Sequence, residues 1–102
     1  MLRYDMTIKF ESEIFVKTFD KDFEIMLSNL GGTVSHFGKT AKVEHVINIA
    51  NSPVLPDEKI IEILKNNIFE ALTETFQKQN SLNVDVKGVN FIGIMEIQQK
   101  EG

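Results

Sequence analysis

Cysteine is missing from all 102 residues, so disulfides, thiolate metal sites and cysteine nucleophiles are excluded outright. No apolar run approaches the ~18 residues that a membrane-spanning helix needs. The opening MLRYDMTIKFE alternates polar and apolar residues, where a secretory leader would carry a basic patch and then a continuous apolar run. A soluble, cytoplasmic protein with no membrane partner is the expectation. Positive charge is also short. Lys and Arg number 11 against 15 Asp and Glu, the net charge is -4, the pI is about 5.1, and the basic residues form no block. That balance repels phosphate backbones at long range and argues against a nucleic-acid partner. Proline occurs only twice, both times in Asn51 to Pro56, the one segment with clear loop chemistry.

The hydrophobic pattern, by contrast, is rich, and its period changes several times. A chain of this length with 42% hydrophobic residues can bury one core without disulfide or metal, so residues 1–102 read as a single domain. Leu2, Tyr4, Met6, Ile8 and Phe10 alternate with Arg3, Asp5, Thr7, Lys9 and Glu11, the period-2 mark of a half-buried strand. From Phe15 the spacing turns helical: Phe15, Phe19, Phe23, Met26, Leu27 and Leu30 share one face, with Ser12 as N-cap and Gly31 just past the end. Ile14 and Val16 nevertheless continue the strand alternation. A second strand over residues 14–18, followed by a shorter helix capped by Asp20, therefore competes with the long helix.

After Gly31-Gly32, Thr33 to Ala50 reads as a hairpin. Gly38-Lys39 suits a type II′ turn, because Gly at the first central position adopts φ > 0 without steric cost. That turn sets Phe37 opposite Thr40, His36 opposite Ala41 and Val34 opposite Val43. Ala41, Val43, His45, Ile47 and Ile49 then share one side, while Lys42, Glu44, Val46 and Asn48 share the other. From Asp57 to Gln79, the ladder Ile60, Leu64, Ile68, Leu72 and Phe76 predicts a long amphipathic helix whose first turn is acidic, as the helix dipole favours. Leu82, Val84 and Val86 alternate again until Gly88. Beyond it, Val89, Phe91, Ile92, Ile94, Met95 and Ile97 put apolar groups on both faces. A bulge or a tight turn at Lys87-Gly88 explains that phase change, and a turn would make residues 89–97 a further strand. The tail from Gln98 reads as polar and frayed.

The order β-α-β-β-α-β predicts an α+β domain with a ferredoxin-like split βαββαβ arrangement, in which two helices lie on one face of a four-stranded antiparallel sheet. An extra strand stays open at 14–18 or 89–97.

Several segments imitate catalytic motifs. GGTVSHFGKT, from Gly31 to Thr40, suggests a phosphate-binding loop, but Thr33 stands where that motif needs Gly, and a strand follows where a helix should open. His36 and His45 project to the same face of the hairpin, yet His36 pairs with Ala41, four residues from His45. At ~3.3 Å per residue that separation is on the order of 13 Å, too far for a shared zinc. His45, between Val43 and Ile47, reads as a satisfied core histidine. Ser35 and His36 are adjacent but point to opposite faces, and no G-x-S-x-G elbow occurs. Glu58/Glu62 and Glu70/Glu74 lie on the solvated side of the long helix. No catalytic, metal or cofactor site is expected, and the chain reads as a non-enzyme.

The same element order occurs in RNA-recognition domains, which stack bases on aromatic residues of the open sheet face. Here the candidate open face carries Arg3, Asp5, Thr7, Lys9, Glu11, Lys42, Glu44, Val46 and Asn48, with no aromatic on that face of either inner strand, and Phe37 on the short neighbouring strand stands alone. The leading expectation is a small interaction or assembly module that self-associates or binds a protein partner. A small-ligand regulatory domain using the loops at Gly31-Gly32 and Asn51 to Pro56 comes second, and RNA binding third. In the predicted topology the last strand lies at a sheet edge. Its two apolar faces point to a homodimer with Val89, Phe91, Ile92, Ile94, Met95 and Ile97 in the interface.

Overall fold

The structure, a computed structural model, describes residues 2–17, 25, 34–78 and 84–101, with the backbone alone at 34–37, 77 and 78. Strand β1 is Leu2–Val16, β2 is Val34–Phe37, β3 is Thr40–Ser52, helix α1 is Glu58–Lys78 and β4 is Val84–Glu101. All pairings are antiparallel, in the order β2-β3-β1-β4. Three long strands form the body of the sheet, and the four-residue β2 is a short arm on the outer side of β3.

The predicted ferredoxin-like fold is corrected by this arrangement. Among the described residues a single helix packs on the sheet rather than two, so the long elements run β-β-α-β. The helix predicted from Phe15 does not begin there. Strand β1 continues through Val16 and pairs with β3 and β4 on its two sides. Ile14 and Val16 are β-branched and continue the inward set, and neighbours on both edges satisfy the backbone, which outweighs the helical spacing of the phenylalanines. Residues 14–16 therefore extend the first strand instead of forming a second one. Phe15 falls on the open face and is partly exposed rather than core. Phe19, Phe23, Met26, Leu27 and Leu30 lie outside the described residues.

The hairpin has the predicted register, Val34 to Val43, His36 to Ala41 and Phe37 to Thr40. Gly38 has φ +59° and Lys39 does not, which is the II′ pattern rather than I′. The Val16 N–H donates to the Lys39 carbonyl at 2.7 Å, so the turn is tied to the end of β1. At the other end of β3, Asn51 takes φ 56° in a bulge opposite Asp5. The Asp5 carboxylate accepts from the Asn51 N–H at 2.9 Å, a local bond that suits a left-handed asparagine.

Helix α1 starts where the sequence places it. Asp57 caps it, its carboxylate accepting from the Ile60 N–H at 2.9 Å and its carbonyl from the Ile61 N–H at 3.0 Å. Of the predicted ladder, only Leu72 and Phe76 are buried, while Ile60, Leu64 and Ile68 are half-buried. An i+4 ladder drifts ~40° around a helix at each step, so five rungs cannot all meet one flat sheet. Leu72 and Phe76 close a cluster with Ile14, Val16, Ala41 and Val43. Ile61 and Leu64 pack over Met6, Ile8, Phe10 and Val89. The 21-residue helix spans roughly 31 Å at ~1.5 Å per residue, against a molecule 51 Å long. Part of the sheet therefore extends beyond α1.

Candidate functional site

The strand order leaves the outer side of β4 without a strand partner among the described residues. On its inner side β4 follows β1 over its whole length, from Val84 opposite Val16 to Glu101 opposite Leu2. The predicted frayed tail is thus ordered strand. So is the segment that a turn at Lys87-Gly88 would have folded back: residues 89–97 form no separate strand but continue the same one. Lys87, Ile92 and Met95 are each an extra residue with no opposite number on β1, and each shifts the phase of the residues beyond it.

Those shifts explain the apolar pattern. Residues directly opposite each other share a sheet face. Pairing with Ser12, Phe10, Ile8 and Met6 therefore puts Val89, Phe91, Ile94 and Ile97 on the helix side, and the Phe10 and Phe91 rings confirm it with centroids 5.7 Å apart. Gly88, Asn90, Gly93 and Glu96 pair with outward residues and line the open face. The strand is not apolar on two regular faces; its helix side is apolar from Val84 to Ile97, and Ile92 and Met95 are supernumerary positions.

Of the predicted interface residues, Val89 is buried beneath α1 with Met6, Ile8 and Phe10. The others are open to solvent: Phe91 38%, Ile92 51%, Ile94 39%, Met95 59% and Ile97 44%. Five large exposed apolar side chains within seven residues, on an edge with no strand partner among the described residues, are the kind of feature that marks an interaction site.

A second arrangement was not legible as a pair. Ser12, assigned to a helix cap by sequence, is instead wholly buried on the inner face of β1, with Oγ 2.8 Å from His45 Nε2 and 3.4 Å from the Val43 carbonyl. The separation matches a nucleophile and its base. At 0% exposure, however, the hydroxyl has no approach for a reacting atom. Burial holds the His45 pKa below its ordinary value, so the ring is neutral near pH 7 and serves as a hydrogen-bonding partner. A cavity of about 160 Å³ lined by His45, Ile68, Ala71, Leu72 and Thr75 adjoins it. The signal was present: with β1 extended, Ser12 falls in the inward even-numbered set.

On the open face, cations sit beside acids. Lys9 pairs with Glu44 at 2.8 Å, Lys42 approaches Glu11 at 3.9 Å, and Lys100 pairs with Asp5. Phe15 corrects the expectation of no aromatic on an inner strand, and Lys87 Nζ lies 5.6 Å from its ring centroid. A hollow of about 270 Å³ at Asp5, Thr7, Asn48, Glu96 and Gln98 is bordered by groups that bond one another. Thr7 Oγ1 donates to Asn48 Oδ1 at 3.0 Å, and Gln98 Nε2 donates to Glu96 Oε1 at 2.7 Å. The Asp5 carboxyl is held below its usual range by the Lys100 ammonium and then by the Asn51 N–H. His36 keeps its backbone place opposite Ala41, four residues from His45. Gly31 to Thr33 of the loop-like motif lie outside the described residues, and Thr40 enters a strand. Glu58, Glu62, Glu70 and Glu74 are exposed.

Among the described residues no group of three or more His, Asp or Glu could hold a metal ion, and no helix is long and apolar enough to cross a membrane. Comparison of the chain with family models, with curated proteins and with solved structures gives no match.

Proposed function

We propose that the chain is a non-enzymatic assembly module that associates with a second copy of itself through β4. The observation that carries this reading is an 18-residue edge strand that has no outer strand partner among the described residues and whose stretch from Phe91 to Ile97 exposes large apolar side chains. Unpaired N–H and C=O groups and apolar surface are satisfied together when a similar strand docks alongside. A two-fold contact offers the same patch twice and closes on itself, which ends growth at the dimer. The reading includes a cytoplasmic setting and gives no role to nucleic acid or membrane; the lysines of the open face are already engaged with acids.

Light scattering with native mass spectrometry at tens of micromolar tests it. The expected mass is that of two chains rather than the 11.6 kDa of one, and Ile94→Lys is expected to give a folded monomer. A wild-type mass of one chain under those conditions overturns the reading.

A further inference from the structure

An edge that pairs with its own copy must choose a register, and the bulges of β4 leave little choice. We infer that two copies join β4 to β4 antiparallel about a two-fold axis at Ile94, giving one sheet continuous across the dimer. This rests on the reading of β4 as the self-association edge.

In such a pair, residues facing each other across the axis must lie on the same side of the sheet, because the two-fold stands perpendicular to it. The faces are already assigned by pairing with β1. An axis at Ile92 sets helix-side Phe91 against open-side Gly93, and an axis at Met95 sets helix-side Ile94 against open-side Glu96. Both fail beside the centre. An axis at Gly93 keeps the faces near the centre but then puts Val86, on the helix side, against Lys100, on the open side, and open-side Asp85 against helix-side Glu101. An axis at Ile94 sets Phe91 against Ile97 on the helix side and Asn90 against Gln98 on the open side, with Gly88 against Lys100 beyond them. It also sets Val89 against Gln99, both on the helix side.

Bulges and lysines on an edge strand normally discourage indiscriminate pairing. Here the phase shifts at Lys87, Ile92 and Met95 exclude every other axis within the exposed stretch from Phe91 to Ile97 and leave Ile94, which keeps residues of one face together. The same geometry accounts for the substitution above. Ile94→Lys would place two ammonium groups directly opposite each other, ~4.5–5.5 Å apart at Cα.

The chain has no cysteine, so single-cysteine variants of the full chain carry the only thiol. Under mild oxidation Ile94→Cys is expected to convert to covalent dimer, because facing Cα atoms at the axis lie within disulfide reach. Gly93→Cys is expected to stay reduced, and a Cβ there meets nothing within 4 Å, so that variant is tolerated. Cross-linking of Gly93→Cys but not Ile94→Cys overturns the register while the self-association reading stands. A non-covalent dimer in which neither variant cross-links overturns β4 pairing itself. A monomeric wild type removes both.

Discussion

Ser12 and His45 meet at 2.8 Å on the inner face of the sheet, one from β1 and one from β3, in a neighbourhood otherwise made of Val, Ile, Phe and Leu. Each gives the other a hydrogen bond inside this apolar layer, and Ser12 Oγ also donates to the Val43 carbonyl at 3.4 Å. Ser12→Ala should therefore cost about 1–3 kcal/mol, the penalty of leaving a buried polar partner unpaired. Urea denaturation of Ser12→Ala, His45→Leu and the double variant should give a coupling above ~0.5 kcal/mol, and additive effects would show that the contact contributes nothing.

The same pair makes stability depend on pH. Burial lowers the folded pKa of His45, so between the folded value and the unfolded ~6.5 the unfolded chain binds more protons. Stability is complete above pH ~6.5 and falls as the pH drops below it through the folded pKa. Urea midpoints should decline from pH 7.5 to about 5, before carboxylates such as Asp5 enter. The decline should disappear in His45→Gln and persist in His36→Gln.

Adjacent phenylalanine positions on β1 should behave oppositely. Phe10 is wholly buried, and Phe10→Ala is expected to cost about 3–5 kcal/mol. Phe15 lies on the open face, and Phe15→Ala should stay within roughly 0.5–1 kcal/mol, including loss of its Lys87 contact. Similar losses at both would mean that the face assignment of β1 is mistaken.

Along α1 the burial gradient predicts unequal costs. Leu72→Ala should lose about 2–5 kcal/mol, and exposed Ile63→Ala should lose under ~0.5 kcal/mol, read from thermal or urea unfolding.

Gly38→Ala should cost about 1–2 kcal/mol although a Cβ there meets nothing within 4 Å, because the penalty lies in φ +59° rather than in contact. An unchanged midpoint would argue against the II′ turn.

Local chemistry was legible from sequence where it acts over a few residues. Gly38 carried the hairpin register, Asp57 the helix start, and the alternation from Ala41 to Ile49 the inward set of β3. The extent of β1 was obscured by Ser12, a polar residue in an inward place, which resembles a cap until its partner is known. That partner comes from Val43 and His45, so the clue depends on a long-range register that periodicity does not contain. In β4, Gly88 announced one irregularity. The extra residues at Ile92 and Met95 showed only as apolar groups on both faces, a pattern that a regular two-faced apolar strand gives equally. The candidate surface was found for an incomplete reason: excess apolar residues flagged it, but Val89 belongs to the core through its pairing with Ser12.

The pairing of β1 with β4 also bears on how the chain reaches its fold. Strand β1 sits inside the sheet, yet its neighbours come from residues 40–52 and 84–101, so neither of its edges is satisfied by adjacent chain. Closing such distant contacts costs loop entropy before any burial compensates it, which places folding toward the slow end of small domains, on the order of milliseconds to seconds. Until β4 arrives, an intermediate built from β1, β3 and α1 presents the edge of β1 as well as uncovered Phe10. Aggregation during refolding should therefore rise steeply with protein concentration and be worst in variants that slow the arrival of β4.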